Sequence, residues 1–370
     1  MILVVTQSFL PDVGGTQQYL TGLADAFAAR GHAIEVFCRK TSRSAAKAFD
    51  ATRSYTIHRY GGIRIIRQLR VAATIARRVR QGDVTVIVAD SWKSLELLDR
   101  SKLKGVRIVC IAHGNEYLTH SAIKAGRLRR SLAKADVVAA NSRFTAGLAH
   151  AFAGSVPVEV VLPGIMAPGE AREAVAAAPQ GERLLCIARL EPRKGIDQII
   201  RALAELQADY PQVVLDIVGK GEDKDRLIAL AEQLGVTGRM HFHGYVSDAR
   251  KAELIRQARV FVLPNRREHG SVEGFGLVFL EAAAYGVPSI AGKDGGVGDA
   301  VIDGETGLIV DGEDVATLTA GLRRLLSDEA LRQRMGAQAQ TRFWSEFVWH
   351  AAVTRFETVL NTGPKTGDET

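Results

Sequence analysis

Short apolar runs alternate with stretches of helical periodicity along almost the whole of this chain. Seven such runs in the first half and six in the second are predicted as strands. Apolar strands separated by helices are typical of parallel sheets covered on both faces. The sequence therefore predicts an α/β protein made of two doubly wound, Rossmann-like domains.

The predicted strands of the first half are Ile2–Thr6, Ala33–Cys38, Thr56–Tyr60, Val84–Ala89, Arg107–Ala112, Val137–Ala140 and Val158–Leu162. Those of the second half are Leu184–Ala188, Val213–Val218, Met240–Phe242, Val260–Leu263, Ser289–Ala291 and Gly307–Val310. The predicted helices include Thr16–Ala29, Leu128–Lys134, Gly195–Asp209, Asp223–Leu234, Asp248–Gln257, Gly276–Tyr285 and Asp314–Leu326.

A chain of 370 residues is too long for a single core, so two domains are expected. We place the first at residues 1–167 and the second at residues 168–342. The Ala-, Pro- and Glu-rich segment Gly164–Arg183 is the predicted linker. The last residues, 361–370, are predicted to be a frayed tail.

Positive charge is concentrated in the first domain, since residues 1–167 carry a net charge of +13 and the remainder −6. Many of these cations lie in Ile63–Arg80, which reads as a basic amphipathic helix. Such a helix suits an anionic membrane surface, although a solvated helix face is the alternative. Nucleic acid fits less well, because the chain has no zinc-finger spacing and no RNA-binding aromatic signature.

The remaining general features favour a cytoplasmic protein. The start, MILVVTQSFL, lacks a basic n-region and is predicted to be a strand, and no apolar stretch reaches the length of a membrane span. The cysteines Cys38, Cys110 and Cys186 have no metal or redox spacing, so reduced, buried thiols are expected.

The segment from Glu268 to Ala291, EHGSVEGFGLVFLEAAAYGVPSIA, predicts a ligand site. Glu273 and Glu281 stand eight residues apart around a glycine-flanked turn, and Glu281 lies in an apolar run where a carboxylate needs a partner. A helix that begins behind a glycine-rich loop can bind an anion. A phosphate at the helix end and hydroxyls on the two carboxylates together describe a nucleotide sugar.

Three further loops follow predicted strands, where doubly wound folds bind ligands. Gly14 and Gly15 precede the first helix and can present N–H groups to a phosphate. His113 ends a strand before a glycine, although a lone histidine is often structural. Arg189 and Lys194 flank a turn that opens a helix, and two cations there suit a diphosphate, although a surface charge pair is the alternative.

No metal site is predicted. Asp223 and Asp225 have the spacing of a metal-binding Asp-x-Asp, but they open a helix, where acidic residues favour the N-terminus. His241 and His243 share one strand face, and two histidines rarely suffice for a metal. The run that begins at Gly219 lacks the third glycine of a dinucleotide fingerprint, so no cofactor is expected.

The motifs FLPDVGGTQQYL, AHGNEY, ADVVAANSRFT, ARLEPRKGID, IVGKGED, VEGFGLVFLEAAAYGVPSIAG and GGVGDAVIDGETGLIV occur in this order. Together they resemble retaining glycosyltransferases of family four, whose GT-B fold has two Rossmann-like domains facing each other across a cleft. The spacing of Glu273 and Glu281 is that family's E-x₇-E motif. Within the family, RLEPRKG and VEGFGLVFLEA are most similar to bacterial lipid-directed mannosyltransferases of the phosphatidylinositol mannoside type.

The resemblance implies that Arg189 and Lys194 bind the donor diphosphate and that Glu281 binds the ribose. It also implies that Gly15 approaches the phosphates from the first domain. The last helix, at about 343–360, is expected to pack back on that domain.

The resemblance further implies that Glu273, with the N–H groups of Gly274, Phe275 and Gly276, holds hydroxyls of the transferred sugar. His113 is implied to contact the sugar near its 6-position. The catalytic residues are therefore expected to be His113, Arg189, Lys194 and Glu273.

The chain departs from the family pattern at three places. Pro163-Gly164-Ile165-Met166 replaces the usual Asn-Gly-Val-Asp, Asp299 replaces a glutamate, and the turn NRREHGS after Leu263 is long and charged. These departures leave the linker contact and the donor specificity open.

The implied reaction retains anomeric configuration and needs no metal or cofactor, since cations can stabilise the leaving diphosphate. We expect mannose transfer from GDP-mannose to a lipid-linked or glycan acceptor, at the inner face of the cytoplasmic membrane. UDP-glucose or UDP-GlcNAc with a soluble acceptor is the alternative. A GT-B sugar-nucleotide epimerase and a non-catalytic partner protein are further alternatives.

Overall fold

The computed structural model describes residues 1–12, 14–166 and 181–361, which form two compact units. The first unit holds the chain up to Met166 and again from Phe347 onward, and the second ends at Glu346. Most of the predicted linker Gly164–Arg183 lies outside the described residues, as does the predicted tail after Asn361.

The first unit contains a sheet of seven strands, and all neighbouring strands are parallel. In chain order the strands are β1 (Ile2–Val5), β2 (Ile34–Arg39), β3 (Thr56–Tyr60), β4 (Val86–Ala89), β5 (Arg107–Ala112), β6 (Val137–Ala140) and β7 (Val158–Val160). Across the sheet their order is β3-β2-β1-β4-β5-β6-β7. The inner strands β1, β4 and β6 are buried along their whole length, as apolar strands covered on both faces must be.

Helices connect these strands in the manner of a doubly wound fold. They are α1 (Gly15–Ala29), α2 (Arg43–Asp50), α3 (Arg64–Val79), α4 (Trp92–Leu95), α5 (Ala122–Leu132) and α6 (Arg143–Ala153). The helix predicted at Leu128–Lys134 begins two turns earlier, because the Ser121 hydroxyl caps it by accepting a hydrogen bond from the N–H of Lys124.

The second unit has a parallel sheet of six strands in the order β10-β9-β8-β11-β12-β13. These strands are β8 (Arg183–Ile187), β9 (Val214–Val218), β10 (Met240–Gly244), β11 (Val260–Leu263), β12 (Ser289–Gly292) and β13 (Gly307–Val310). Its helices are α7 (Ile196–Glu205), α8 (Lys224–Gln233), α9 (Asp248–Gln257), α10 (Leu277–Ala284), α11 (Val315–Ser327) and α12 (Glu329–Arg342).

The predicted fold class is confirmed, because both units are parallel, doubly wound α/β structures. Each predicted strand is present within two residues of its predicted bounds. Their alternation of apolar strand and helix is a strong local signal, so tertiary context did not override it. The helix predicted at Gly195–Asp209 is shorter and ends at Glu205.

The strand order places one crevice in each sheet. In the first unit the order reverses between β1 and β4, and in the second unit between β8 and β11. Ligands of open α/β sheets bind at such switch points, outside the carboxyl ends of the strands. The loops that follow these four strands are therefore the places where a site is expected.

Helix α3 exposes a group of apolar side chains at the surface of the first unit. They are Ile63 at its N-cap and then Ile65, Ile66 and Leu69, each more than half accessible to solvent. Within the described residues, no helix is both long and apolar enough to cross a bilayer.

The last helix, α13 (Trp349–Asn361), belongs to the first unit and packs on α1. The Trp349 ring lies 5.5 Å from the ring of Tyr19, centroid to centroid, and directly over Gly22. A Cβ atom at Gly22 would stand 1.9 Å from the indole nitrogen of Trp349. The absence of a side chain at Gly22 therefore allows the contact between the two helices.

We predict that Gly22→Ala lowers the free energy of unfolding by about 1–3 kcal/mol, because the methyl group displaces a buried indole. The matched control is Gly147→Ala, at an exposed position of α6 where an added Cβ meets no atom within 4 Å. That control should be neutral or slightly stabilising, since alanine favours helix. Thermal and urea melts of both variants check this, and equal behaviour of the two would contradict the packing argument.

Candidate functional site

The loop after β8 carries the two predicted phosphate-binding cations. Pro192–Lys194 forms a short 3-10 turn, Gly195 follows in the left-handed conformation with φ 66°, and α7 begins at Ile196. A Cβ at Gly195 would stand 2.2 Å from the carbonyl oxygen of Pro264, which follows β11. A glycine is therefore required where the loop after β8 meets the end of β11, at the switch point of the sheet.

Lys194 and Glu273 form a largely buried ion pair across this crevice. The Lys194 ammonium contacts the Glu273 carboxylate, and the Arg193 guanidinium lies 3.5 Å from the same carboxylate oxygen. Only 11% of the Lys194 side chain and 17% of the Glu273 side chain are exposed. Burial alone would raise the pKa of Glu273, but Lys194 and Arg193 outweigh it and hold that pKa below its usual value.

Arg189, the other predicted cation, lies in a different environment. Its side chain is 68% exposed, and its guanidinium donates to the Glu191 carboxylate at 2.6 Å. Glu191 also accepts a hydrogen bond from Arg193 at 3.0 Å. An exposed pair of this kind is weak, so Arg189 can change partners at little cost in free energy.

The turn from Glu273 to Gly276 runs directly into the N-terminus of α10, as predicted. Phe275 is buried and Gly276 caps the helix in the left-handed conformation. Gly295, in the loop after β12, packs against this turn, and a Cβ on it would lie 2.1 Å from the carbonyl oxygen of Glu273. The same carbonyl accepts a hydrogen bond from the N–H of Gly296. The glycine pair after β12 thus supports the backbone of Glu273.

Glu281, on α10, has the partner that its apolar surroundings require. Lys251 of α9 donates to one carboxylate oxygen at 3.1 Å and also lies 3.6 Å from Asp248. The other oxygen of Glu281 is buried and accepts no hydrogen bond from the described part of the chain. Burial raises the pKa of Glu281, with Lys251 opposing the change. This second oxygen is free to accept a ligand hydroxyl.

His113 and Gly15 belong to the first unit, at the carboxyl ends of its strands. The Nε2 atom of His113 lies 3.0 Å from the carbonyl oxygen of Asp90, and its backbone N–H donates to Glu116. Because a carbonyl can only accept, Nε2 carries the proton, so that Nδ1 is the acceptor whenever the ring is neutral. The ring of Tyr19, from α1, meets the imidazole edge-on at 5.9 Å.

Asp90 supports this arrangement, and the sequence did not single it out. Its buried carboxylate accepts hydrogen bonds from the Thr6 hydroxyl at 2.7 Å, the Gln7 N–H at 2.9 Å and the Ser94 hydroxyl at 2.5 Å. These bonds tie the ends of β1 and β4 together at the switch point of the first sheet. They fix the carbonyl that orients His113.

The structure thus brings Lys194 and Glu273 into contact, with Gly274, Phe275 and Gly276 following Glu273 in the chain, and it links Arg189 to them through Glu191 and Arg193. Sequence reasoning missed Arg193 and Lys251, which hold the two glutamates. Arg193 could have been suspected from its place beside Lys194. Nothing in the sequence points to Lys251, because it lies 30 residues before Glu281 on another helix.

Asp223 and Asp225, which were considered as metal ligands, lie at the start of a helix. Asp223 is buried and accepts two hydrogen bonds from Arg226, at 2.5 and 2.7 Å. Asp225 lies in the first turn of α8. Across the described ranges, no three His, Cys, Asp or Glu side chains are grouped so as to hold a metal.

Two parallel, doubly wound units and these switch-point residues define the GT-B class of α/β enzyme. A family profile described as "Glycosyltransferase Family 4" matches residues 13–166, and one described as "Glycosyl transferases group 1" matches residues 169–342. Among solved structures, Anabaena HepE in complex with UDP superposes with a TM-score of 0.80 at 20% identity, covering 98% of this chain and 100% of that one. Sucrose-phosphate synthase from Thermosynechococcus elongatus gives a TM-score of 0.76 at 21% identity, covering 97% of this chain and 98% of that one.

Relatives with higher sequence identity match most of the length of this chain. The chain is 32% identical to the GDP-mannose-dependent alpha-(1-6)-phosphatidylinositol monomannoside mannosyltransferase of Mycolicibacterium smegmatis, over 97% of this chain and 98% of that protein. It is 31% identical to the D-inositol 3-phosphate glycosyltransferase of Acidothermus cellulolyticus, over 88% of this chain and 80% of that protein. The chain belongs to glycosyltransferase family four, and it is a glycosyltransferase.

We predict that Lys194→Met destabilises the protein in a pH-dependent way. The folded pKa of Glu273 is depressed, so the pair stabilises the fold above the ordinary carboxyl pKa of about 4.3, and this contribution is lost as the pH falls through the folded value. The deficit of the variant should therefore be largest near neutral pH, up to about 3 kcal/mol, and should shrink only as the pH falls below about 4.3, through the depressed folded value.

Melting curves from about pH 7.5 down to about pH 2.5 measure this difference, because the folded pKa of Glu273 lies below its ordinary value. Lys220→Met, which removes an exposed lysine from the same unit, is the control and should show no such trend. A deficit for Lys194→Met that stays constant over the whole range would show that the deficit does not arise from the ion pair.

Proposed function

We propose that this enzyme transfers mannose from GDP-mannose to a lipid-linked glycoside, with retention of configuration and without a metal. The proposal is supported by the full-length relatives whose names specify GDP-mannose as donor and a phosphatidylinositol mannoside as acceptor. The site supports it through the cations and carboxylates that meet at the switch point of the second unit.

The observation that carries the proposal is the Lys194–Glu273 pair beside an exposed, weakly held Arg189. A diphosphate at the N-terminus of α7 would draw Lys194 and Arg189 toward its oxygens. Glu273 would then exchange an ammonium partner for hydroxyls of the sugar. Arg193, 3.5 Å away, would keep its charge compensated.

Glu281 is assigned to the ribose, because its second oxygen is buried and has no partner in the described part of the chain. A ribose hydroxyl would satisfy that oxygen while Lys251 retains the first. Gly15 is assigned to the phosphates and His113 to the sugar near its 6-position. The free Nδ1 lone pair of His113 would accept from a sugar hydroxyl.

In the proposed reaction the bond from the anomeric carbon to the diphosphate breaks, and Arg189 and Lys194 stabilise the charge that develops on the leaving oxygens. The acceptor hydroxyl attacks from the same face and passes its proton to the departing phosphate. No protein nucleophile takes part. The protein acts by positioning the reactants and by electrostatic stabilisation.

The proposal is tested by incubating the enzyme with labelled GDP-mannose and phosphatidylinositol monomannoside in the presence of excess EDTA. Transfer of mannose with an α-linkage in the product supports it. Transfer only from UDP-glucose or UDP-GlcNAc, or only to a soluble acceptor, would establish the alternative. Complete loss of activity with EDTA, restored by Mg²⁺, would refute metal independence.

We predict that substitutions of Glu273 and Glu281 have different effects on turnover and on GDP binding. Glu273→Gln should lower kcat by about 10²-fold or more while leaving GDP affinity within about threefold, because its sugar contacts matter in the transition state. Glu281→Gln should instead weaken GDP binding about tenfold, the worth of one charge-assisted hydrogen bond. Calorimetry with GDP and initial rates on both variants decide this, and the opposite pattern would mean that the roles are reversed.

We further propose that the first unit binds an anionic membrane surface through α3. The apolar side chains Ile65, Ile66 and Leu69 share one face of the helix and are exposed. Arg70, Arg77 and Arg80 recur at helical spacing beside that face and are exposed. The enzyme would then act as a peripheral protein at the inner face of the cytoplasmic membrane.

Not all six arginines of this segment are available to lipid. Arg78 donates to Glu35 and Asp83, each at 2.8 Å, and Arg64 donates to Glu96 at 3.1 Å. Their charges are compensated by the first unit itself.

We therefore predict that the triple variant Arg70→Gln, Arg77→Gln, Arg80→Gln no longer sediments with anionic liposomes at low salt. Each cation near an anionic surface contributes about 1 kcal/mol, and salt screens it. The matched control replaces three exposed arginines of the second unit, Arg201, Arg324 and Arg334, and should bind as the wild type does. Equal binding to neutral and anionic vesicles would contradict an electrostatic membrane contact.

A further inference from the structure

A small cavity opens at the carboxyl ends of β1 and β2, beside the crevice where the order of the first sheet reverses. Three cationic side chains line it: Arg39 at the end of β2, Arg67 on α3, and Lys93 on the short helix after β4. The amides of Gln7 and Gln68 lie among them. The donor-binding residues discussed above belong to other loops.

The positive charge around this cavity is poorly compensated. Arg39 pairs with the carboxylate of Asp12 at 3.3 Å. Within the described residues, Arg67, which is half-buried, donates only to the carbonyl oxygen of Gly62 at 3.2 Å. In the described part of the chain, no carboxylate lies within 4 Å of Arg67 or Lys93.

The pKa of Arg67 reflects this crowding of like charge. Burial lowers the pKa of its guanidinium, and the neighbouring cations Arg39 and Arg64 lower it further. Arg39 and Lys93 are exposed, but a half-buried cation such as Arg67 with like charges nearby raises the free energy of the fold unless an anion joins it. An arginine and a lysine beside amide donors are well suited to phosphate oxygens.

The size of the cavity limits what can enter it. Its interior measures about 20 Å³, on the scale of one or two water molecules. A sugar ring cannot enter such a space. A phosphate can present one oxygen to the interior while the cations at the mouth contact the others.

We infer that this cavity, lined by Arg39, Arg67 and Lys93, binds the phosphodiester of an anionic lipid acceptor. The inference rests on the proposed function, which supplies a lipid glycoside as acceptor. It adds a phosphate subsite in the first unit and names the side chains that recognise it.

The position of α3 supports the inference independently. Arg67 and Gln68 line the cavity, whereas Ile65, Ile66 and Leu69 of the same helix are exposed. In a phospholipid the phosphate lies between the polar headgroup and the acyl chains. A helix with a phosphate site on one face and apolar side chains on another matches that order.

The test compares two water-soluble acceptors, so that membrane binding plays no part. One is the deacylated headgroup glycoside that keeps its phosphodiester, and the other is the same glycoside without phosphate. Wild-type enzyme should show kcat/KM at least about tenfold higher for the first, as expected for charge-assisted hydrogen bonds. The double variant Arg67→Gln, Lys93→Gln should lose this preference, while its affinity for GDP, measured by calorimetry, is unchanged.

Two control variants sharpen the result. Lys104→Gln removes an exposed lysine outside the cavity and should keep the full preference for phosphate. Arg67→Lys retains the charge and should keep most of it. A double variant that still prefers the phosphorylated acceptor as strongly as the wild type would overturn the inference.

A separate measurement tests the phosphate subsite in the case that the proposed function itself is wrong. If the wild type glycosylates neither acceptor, inorganic phosphate and glycerophosphoinositol are titrated into the protein by calorimetry. Binding of the phosphodiester that the double variant abolishes would support the subsite. Binding that the variant leaves intact, no binding to the wild type, or binding of inorganic phosphate alone would overturn it.

Discussion

The contact between Lys194 and Glu273 is the interaction on which the arrangement of the second unit's site depends. It joins the loop after β8 to the turn before α10 across the point where the strand order reverses. Two mostly buried charges are tolerable only because each compensates the other. The pair therefore leaves neither of these two charges uncompensated. We propose that donor binding exchanges partners at this pair, so the fold and the chemistry draw on the same two side chains.

The cations of the RLEPRKG loop differ in a way that their sequence does not show. Arg189 is mostly exposed and bonded to Glu191, whereas Lys194 is buried against Glu273. Lys194 therefore contributes to the fold, and under the proposed function its loss would affect stability and chemistry together. Arg189 contributes little to stability, since an exposed pair is weak. A defect caused by replacing Arg189 would thus report on ligand binding alone.

The sequence predicted the strands and the ligand loops that follow them, because alternation of apolar strand and helix is a local property. It also predicted that Glu281 needs a partner, from the cost of burying a carboxylate. It did not identify Lys251 as that partner, because the pairing depends on how α9 and α10 pack. Asp90 was missed for a similar reason. Its donors lie 84 residues away at Thr6 and four residues away at Ser94, and only the parallel pairing of β1 with β4 brings them together.

The arginines of α3 show most clearly what packing adds to periodicity. As a sequence they form one basic stretch, for which a membrane contact or a solvated helix face is expected. In the structure, Glu96 and Glu35 neutralise Arg64 and Arg78, which fastens the helix to the rest of the first unit. Arg67 lies at the cationic cavity, and Arg70 is exposed beside the apolar face. Helical spacing cannot distinguish these roles, since it gives the direction of each side chain but not the groups that the side chain contacts. Because this anchoring, the proposed phosphate site and the proposed membrane contact share one helix, we infer that the depth at which this enzyme meets the bilayer also sets where its acceptor phosphate lies.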